Sequence, residues 1–476
     1  MANIKELEKL RPCGRLETYS TARHHLGYYN NVAVTVTYSS PSTSNTSLES
    51  LIFSALRQVI AKHPNLSVIA LDEDKSHPQV YFARLPSIDL RKCVEFPVRK
   101  GPISSDGEID GDLEQVIAEQ HSRNFKDDLG TKPFWRLVVL TSPNDKSTFT
   151  ATWVFHHALS DGASALLFHE TFLSALNSLD STPEFDPVVK SPTTPLPPAF
   201  EDLHPLPISW PFFLNTLAKI ILPSIFNKRA SGLWTGAPVP ATLSPIFRFS
   251  TLILPASTTT RLAHLCRSEK TTITATLQCL LAASLFTHLP SEQFSKLQIS
   301  VPIAMRRFLE NVPADQMTNA LTQYEYVHAR TPTSGGSDVL RYFSWNEARA
   351  VKGAIASELS KRGTDNPIAL FRYVSDIHDY VNGHLGKERG ASVEISNIGV
   401  VKKGEGEWGM GRVTFSQCPN PIGAAICVSV VTGGTGEMSV NFCWGEGVVE
   451  EEFVGSVIEG VRRGVEELVG GDDAAK

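Results

Sequence analysis

Eight prolines fall between residues 183 and 207: Pro183, Pro187, Pro192, Pro195, Pro197, Pro198, Pro205 and Pro207. Proline fixes φ and carries no amide proton, so a stretch this dense stiffens the chain and excludes helix or central strand. The full length of 476 residues is too long for one hydrophobic core. The expected organisation is therefore a lobe over 1–180, a linker over 181–207 and a second lobe over 208–476.

Both sides of the linker mix strand and helix patterns. Residues 32–38 are β-branched and read as a strand. Leu48, Leu51, Ile52, Leu56 and Ile60 recur at helical spacing and stop at His63-Pro64. Strands are expected at 134–140 and 148–155, with a helix over 163–176. Beyond the linker, strands are expected at 246–254, 297–303, 391–401, 412–416, 424–432 and 437–443. Helices are expected at 256–268, 272–288, 345–361, 367–384 and 450–468. The fold class is α/β, layered as α+β. The segment 208–226 is rich in Phe, Leu and Ile and reads as a buried connecting helix. Its alternative is a peripheral membrane contact or a lid over an acceptor channel.

Composition narrows the partners. With 44 basic against 50 acidic residues, the net charge of −6 argues against nucleic acid. The seven cysteines (13, 93, 266, 279, 418, 427 and 443) are scattered, odd in number and without a CxxC pair. That pattern predicts a reducing compartment, no disulfide framework and no structural zinc. The first ten residues lack the apolar core of a signal peptide, and no apolar run reaches a spanning length. A cytoplasmic location follows as an expectation, with association at an internal membrane or lipid droplet as the variant that 208–226 leaves open. A monomer is expected.

The chemistry concentrates at His156-His157-Ala158-Leu159-Ser160-Asp161-Gly162. An apolar run, 150–155, precedes it and an amphipathic segment follows. A strand end there delivers two imidazoles to a surface, and Gly162 is expected to let the chain bend. Imidazole titrates near neutrality and suits general-base work. On a continuing strand, His156 and His157 face opposite ways. Other patterns carry less. His24-His25 lacks an Asp four residues on and reads as structural. The run 433–436 lacks a following GK[ST] and reads as a hairpin turn. Residues 441–445 read as a strand end, and Cys443 has no base beside it in sequence. No HExxH or other metal-ligand spacing occurs.

The motif around His157 resembles the HHxxxDG signature of the chloramphenicol acetyltransferase-like superfamily. Residues 10–23 (LRPCGRLETYSTAR), continuing through 25–31, resemble the opening of the fungal alcohol O-acetyltransferase family. Residues 62–66, 234–236, 301–306 and 395–399 follow in that family's order. The resemblance implies two similar lobes, each a mixed sheet flanked by helices, with a tunnel between them. It makes His157 the general base and His156 a structural neighbour. Asp161 is one candidate to orient the imidazole; the resemblance instead turns it away, to pair with Arg306 and hold the turn. Ser396 becomes a candidate oxyanion donor, its alternative being an ordinary strand serine. Asn397 shapes the strand beside it. No residue is assigned to the donor.

The implied activity is transfer of an acetyl group from acetyl-CoA, as donor substrate, to an alcohol or a secondary-metabolite hydroxyl. No resident cofactor or metal is implied. An N-acyltransferase, a condensation domain acting on carrier-bound groups and a non-catalytic lipid- or partner-binding protein are the rivals. The identity of the acceptor is not legible from pattern, because pocket shape depends on contacts between the lobes.

Overall fold

A computed structural model describes residues 4–41, 47–142, 145–179, 186–221, 231–242, 246–332 and 338–473. Two large sheets organise it. In the first, the strands run in the order Gly409–Gln417, Val32–Ser39, Asp145–Phe155, Trp135–Ser142 and Val94–Glu95. All neighbours are antiparallel except the last pair. The second runs Leu233–Trp234, Lys296–Ala304, Val393–Val400, Ile426–Thr432, Met438–Gly445 and Phe247–Leu254, with Leu321–Ala329 pairing onto Lys296–Ala304. Its centre is parallel and its flank antiparallel.

Each sheet has its own core. Trp153 and Phe155 stack on one another and Trp153 on Phe168, tying the first sheet to the helix Gly162–Ser178. In the second half, Ala275–Phe286 is buried at every position. That helix is covered on all sides, by the sheet, by Glu451–Asp473 and by Trp345–Ser360.

Residues 409–417 lie far beyond the linker in sequence yet form an edge of the first sheet, in register with Val32–Ser39. Met410, Val413 and Phe415 complete the first core. The proline-rich segment is also more structured than its composition suggests. Val188–Lys190 pairs with Ser87–Asp89, and Phe200–Leu203 makes one helical turn. Both fall in gaps between prolines, and the pairing is confined to a two-stranded edge. Residues 180–185 lie outside the described residues.

Two expected helices differ. The stretch 367–384 splits into a 3-10 turn, Pro367–Tyr373, and a short helix, Ile377–Asn382, because Asp376 caps a new start through the amides of His378 and Asp379. The helix Trp210–Ile221 is not buried: Trp210 is 75% exposed, Leu214 55% and Ile221 64%. Phe213, against Tyr373, the packing of Ile208 and the anchoring of Ser209 by Asp365 tie its start to the body. The last five residues of the 208–226 segment lie outside the described residues. No described helix is long and apolar enough to cross a membrane.

Candidate active site

The strand Asp145–Phe155 ends where Phe134 accepts the amide of His156. The next five residues form a turn, held from outside by three contacts. Asn319 Nδ2 donates to the carbonyl of His157 at 2.7 Å, Asn65 Nδ2 to that of Leu159 at 3.1 Å, and the amide of Asp161 to Thr318 at 3.2 Å. Asp161 then caps the following helix, its Oδ1 accepting from the amide of Ser164 at 2.8 Å.

His157 lines a cavity of about 390 Å³ between the two halves. Its Nδ1 is buried beside the main chain of His157 and Ser160, which leaves Nε2 as the nitrogen for the chamber. Burial, with the nearby Arg23 cation, brings the imidazole down to about 4. It is therefore neutral at physiological pH, as a base must be.

The walls follow from strand alternation. On Val393–Val400, Val393 and Ile395 enter the second core, while Glu394 and Ser396 face the cavity. On Lys296–Ala304, Leu297, Ile299 and Val301 go inward, leaving Ser300, Pro302 and Ala304 to the cavity. The first half contributes Leu16, Tyr19, Ser20 and Arg23, one face of the helix Arg15–His25. His157, in the turn after a strand of the first sheet, and Ser396, on a strand of the second, thus share one chamber although far apart in sequence.

The remaining predicted residues surround it. Arg306 Nη2 lies 4.0 Å from Asp161 Oδ1 and donates to Ser164 Oγ at 2.6 Å. The neighbouring Arg307 is exposed. Asn397 Oδ1 accepts the amide of Gly399 at 2.9 Å and its Nδ2 donates to Thr274 at 3.0 Å, shaping an irregularity in the strand. Gly162 does not bend the chain through a positive φ. A Cβ there would stand 2.6 Å from Ile398 Cγ2, so glycine is needed for the close approach of two segments.

A family model for alcohol acetyltransferases matches residues 12–454. The chain belongs to the alcohol acetyltransferase family. A probable alcohol acetyltransferase, crmB, of Aspergillus fumigatus is 33% identical over 94% of this chain and 97% of its own length. The probable alcohol acetyltransferase FCK4 of Fusarium pseudograminearum is 27% identical over 96% and 94%. Among solved structures, the TRI3 trichothecene 15-O-acetyltransferase of Fusarium sporotrichioides superposes with a TM-score of 0.69 at 14% identity, covering 96% of this chain and 98% of that one. The first condensation domain of the calcium-dependent antibiotic synthetase superposes at 0.59 and 14%, covering 97% and 96%. The fold is the two-lobed chloramphenicol acetyltransferase-like one, and the chain is an acetyltransferase of this family.

Behind the site of this acetyltransferase lies a group that sequence reading missed. Glu73 Oε2 accepts from His24 Nδ1 at 2.7 Å, and its Oε1 lies 3.0 Å from His156 Nε2. The amide of Phe125 donates to His24 Nε2 and that of Ala158 to His156 Nδ1, both at 3.0 Å. The nitrogens facing Glu73 therefore carry the protons. Burial opposes the Glu73 charge, but the two imidazoles outweigh it and bring the carboxyl down to about 2. His24, His156 and Glu73 are close enough for a shared metal ion. The tautomers do not suit one, since a ligating imidazole donates from its other nitrogen, and here both other nitrogens accept. His24 is thus part of a clamp behind the turn and not of the cavity wall.

Cys443 is buried, and the Cys427 thiol together with burial holds it well above the ordinary thiol range. It offers no reactive thiolate. The run 433–436 is the turn between Ile426–Thr432 and Met438–Gly445.

Proposed function

We propose that this enzyme transfers an acetyl group from acetyl-CoA to a hydroxyl, with His157 as general base. The observation that carries the reading is the neutral imidazole of His157, with one ring nitrogen buried and the other left to a chamber lined from both halves. Nε2 takes the hydroxyl proton as the oxygen bonds to the thioester carbonyl carbon. The carbonyl oxygen becomes an oxyanion, to which Ser396 Oγ is suited to donate. Collapse breaks the carbon–sulfur bond, and the imidazolium returns its proton to the leaving thiolate. No acyl-enzyme is needed, because a thioester is already activated. Glu73 and the turn contacts keep the strand end and the imidazole in place.

The relatives named as alcohol acetyltransferases, and the likeness to an O-acetyltransferase, favour a hydroxyl over an amine. The test is thiol release from acetyl-CoA with a panel of alcohols and amines, for wild type and His157→Ala. Alcohol-dependent release abolished in a folded His157→Ala variant is the expected result. Full activity in that variant removes His157 as the base, and release with amines alone moves the enzyme to N-acylation.

A further inference from the structure

We propose that Arg23 and Glu394 hold a neutral hydrogen-bonding group of a substrate, one that accepts from the guanidinium and donates to the carboxylate. A secondary amide or a hydroxy-carbonyl has that chemistry. The proposal rests on the acetyl-transfer reading of the same chamber.

Arg23 closes the helix face formed by Leu16, Tyr19 and Ser20 and lines the cavity, yet it is only 7% exposed. Its guanidinium lies 4.1 Å from the centre of the Tyr19 ring and 4.6 Å from that of Tyr29. These cation–π contacts satisfy none of the N–H donors. Nε is buried without an acceptor, and no acceptor among the described residues meets the other two nitrogens. A guanidinium this deep without an acceptor is costly to a fold unless a ligand supplies one.

Glu394 faces the same chamber. Gln417 Nε2 donates to its Oε1 at 3.4 Å, and Gln417 Oε1 accepts from the Tyr29 hydroxyl at 3.1 Å. The second carboxylate oxygen has no hydrogen-bond partner among the described residues; burial raises this carboxyl, and the nearby Arg23 cation acts against that rise and favours the charge. Tyr29 also lies against His157, with ring centres 5.7 Å apart. Arg23 offers only donors and Glu394, when ionised, only acceptors, linked through Tyr29 and Gln417 beside the base. A carboxylate ligand would satisfy Arg23 and be repelled by Glu394; an ammonium would suffer the reverse. An apolar group would leave both unmet. A neutral group with one acceptor and one donor meets both.

Two substrates offer such a group: the amide-bearing pantetheine arm of the thioester, and the acceptor. Calorimetric titration of CoA into the whole protein needs no turnover and separates them. If the arm supplies the group, the Kd of CoA rises about 10- to 100-fold in Arg23→Gln and in Glu394→Gln, as expected for losing a hydrogen bond to a charged group. If the acceptor supplies it, CoA binds both variants as it binds wild type. The KM of the active acceptor then rises by that factor, and the KM of acetyl-CoA does not. Unchanged CoA affinity with unchanged acceptor KM overturns the pair, and so does a loss confined to kcat. Should Arg23→Gln fail to fold, Arg23→Lys, which keeps the charge and loses the fork, takes its place beside the near-isosteric Glu394→Gln. If wild type acetylates nothing in the panel, the acetyl-transfer reading falls and the acceptor arm with it, so the titration alone decides: a raised Kd upholds the pair and an unaltered Kd overturns it.

Discussion

Ser164 joins Asp161 to Arg306. Its amide donates to Asp161 Oδ1 at 2.8 Å, and its hydroxyl accepts from Arg306 Nη2 at 2.6 Å. The same hydroxyl donates to the carbonyl of Thr318 at 2.7 Å and accepts the amide of Thr318 at 3.0 Å. Asp161 Oδ2 in turn accepts the amide of Ala320 at 3.2 Å. The aspartate of the motif is thus the hub of a bridge between the halves, with its carboxylate engaged by main-chain amides.

Replacing Asp161 with alanine removes a helix cap, leaves the amides of Ser164 and Ala320 without their acceptor and takes the countercharge from Arg306, which keeps its hydrogen bonds to Ser164 and Gln316. The expected cost is about 3–5 kcal/mol, as for breaking one side of a buried pair. Ser164→Ala should cost about 1–3 kcal/mol, because the buried Thr318 amide and Arg306 Nη2 lose an acceptor, while the Thr318 carbonyl keeps the amide of Asp161. Urea unfolding of both variants checks the values. A cost below 1 kcal/mol for Asp161→Ala would show that the bridge contributes little.

Glu73→Gln should lower kcat roughly 10- to 100-fold with KM held within about twofold, because a displaced base of this order of misplacement costs that much. The amide NH₂ of glutamine meets an imidazole N–H, so one of the two contacts becomes donor against donor. Steady-state kinetics beside thermal melting separate misplacement from unfolding. Equal kcat in wild type and variant would remove Glu73 from the support of His157.

Gly162→Ala should destabilise by about 1–3 kcal/mol, the usual cost of overpacking. Ile398→Ala removes the methyl that the new Cβ would strike. The double variant should therefore recover part of the loss, giving a favourable coupling in a double-mutant cycle. Strict additivity would mean that the contact with Ile398 is not what demands glycine.

Acid should unfold the protein through its buried imidazoles. Burial brings His156, His157 and His169 down to about 4 and His121 to about 3. Below an unfolded value near 6.5, the unfolded chain binds more protons than the folded one. Stability is then complete above about pH 6.5 and is lost as pH falls toward 4, with a slope of at most roughly 1.4 kcal/mol per pH unit per group. Glu73, lowered to about 2, adds a loss as pH drops below about 4.5. Urea midpoints from pH 8 to pH 4 test this; a midpoint that stays level between pH 6.5 and 4.5 would contradict it.

Much of the site was legible because its signals are local. The strand before His156, the turn and the capped helix after Asp161 depend on neighbours within a few residues. Arg23 had such a signal too, since Leu16, Tyr19, Ser20 and Arg23 recur at one helix face. Glu73 had none: it sits in a turn of charged residues and gains meaning only where His24 and His156 converge on it. Gly162 misled for a related reason. Glycine before a helix reads as a bend, but the constraint comes from Ile398, more than two hundred residues away.

The sequence by itself determined the alternation of strands and helices, the break at the prolines, and the histidine motif with its family. Periodicity, capping and proline geometry act over short range, so they are written in consecutive residues. Tertiary structure alone decided that residues 409–417 join the first sheet, that His157 and Ser396 face one chamber, and that Arg23 lies there without an acceptor. Those outcomes depend on which buried surfaces meet across the two halves, and no local pattern encodes that pairing.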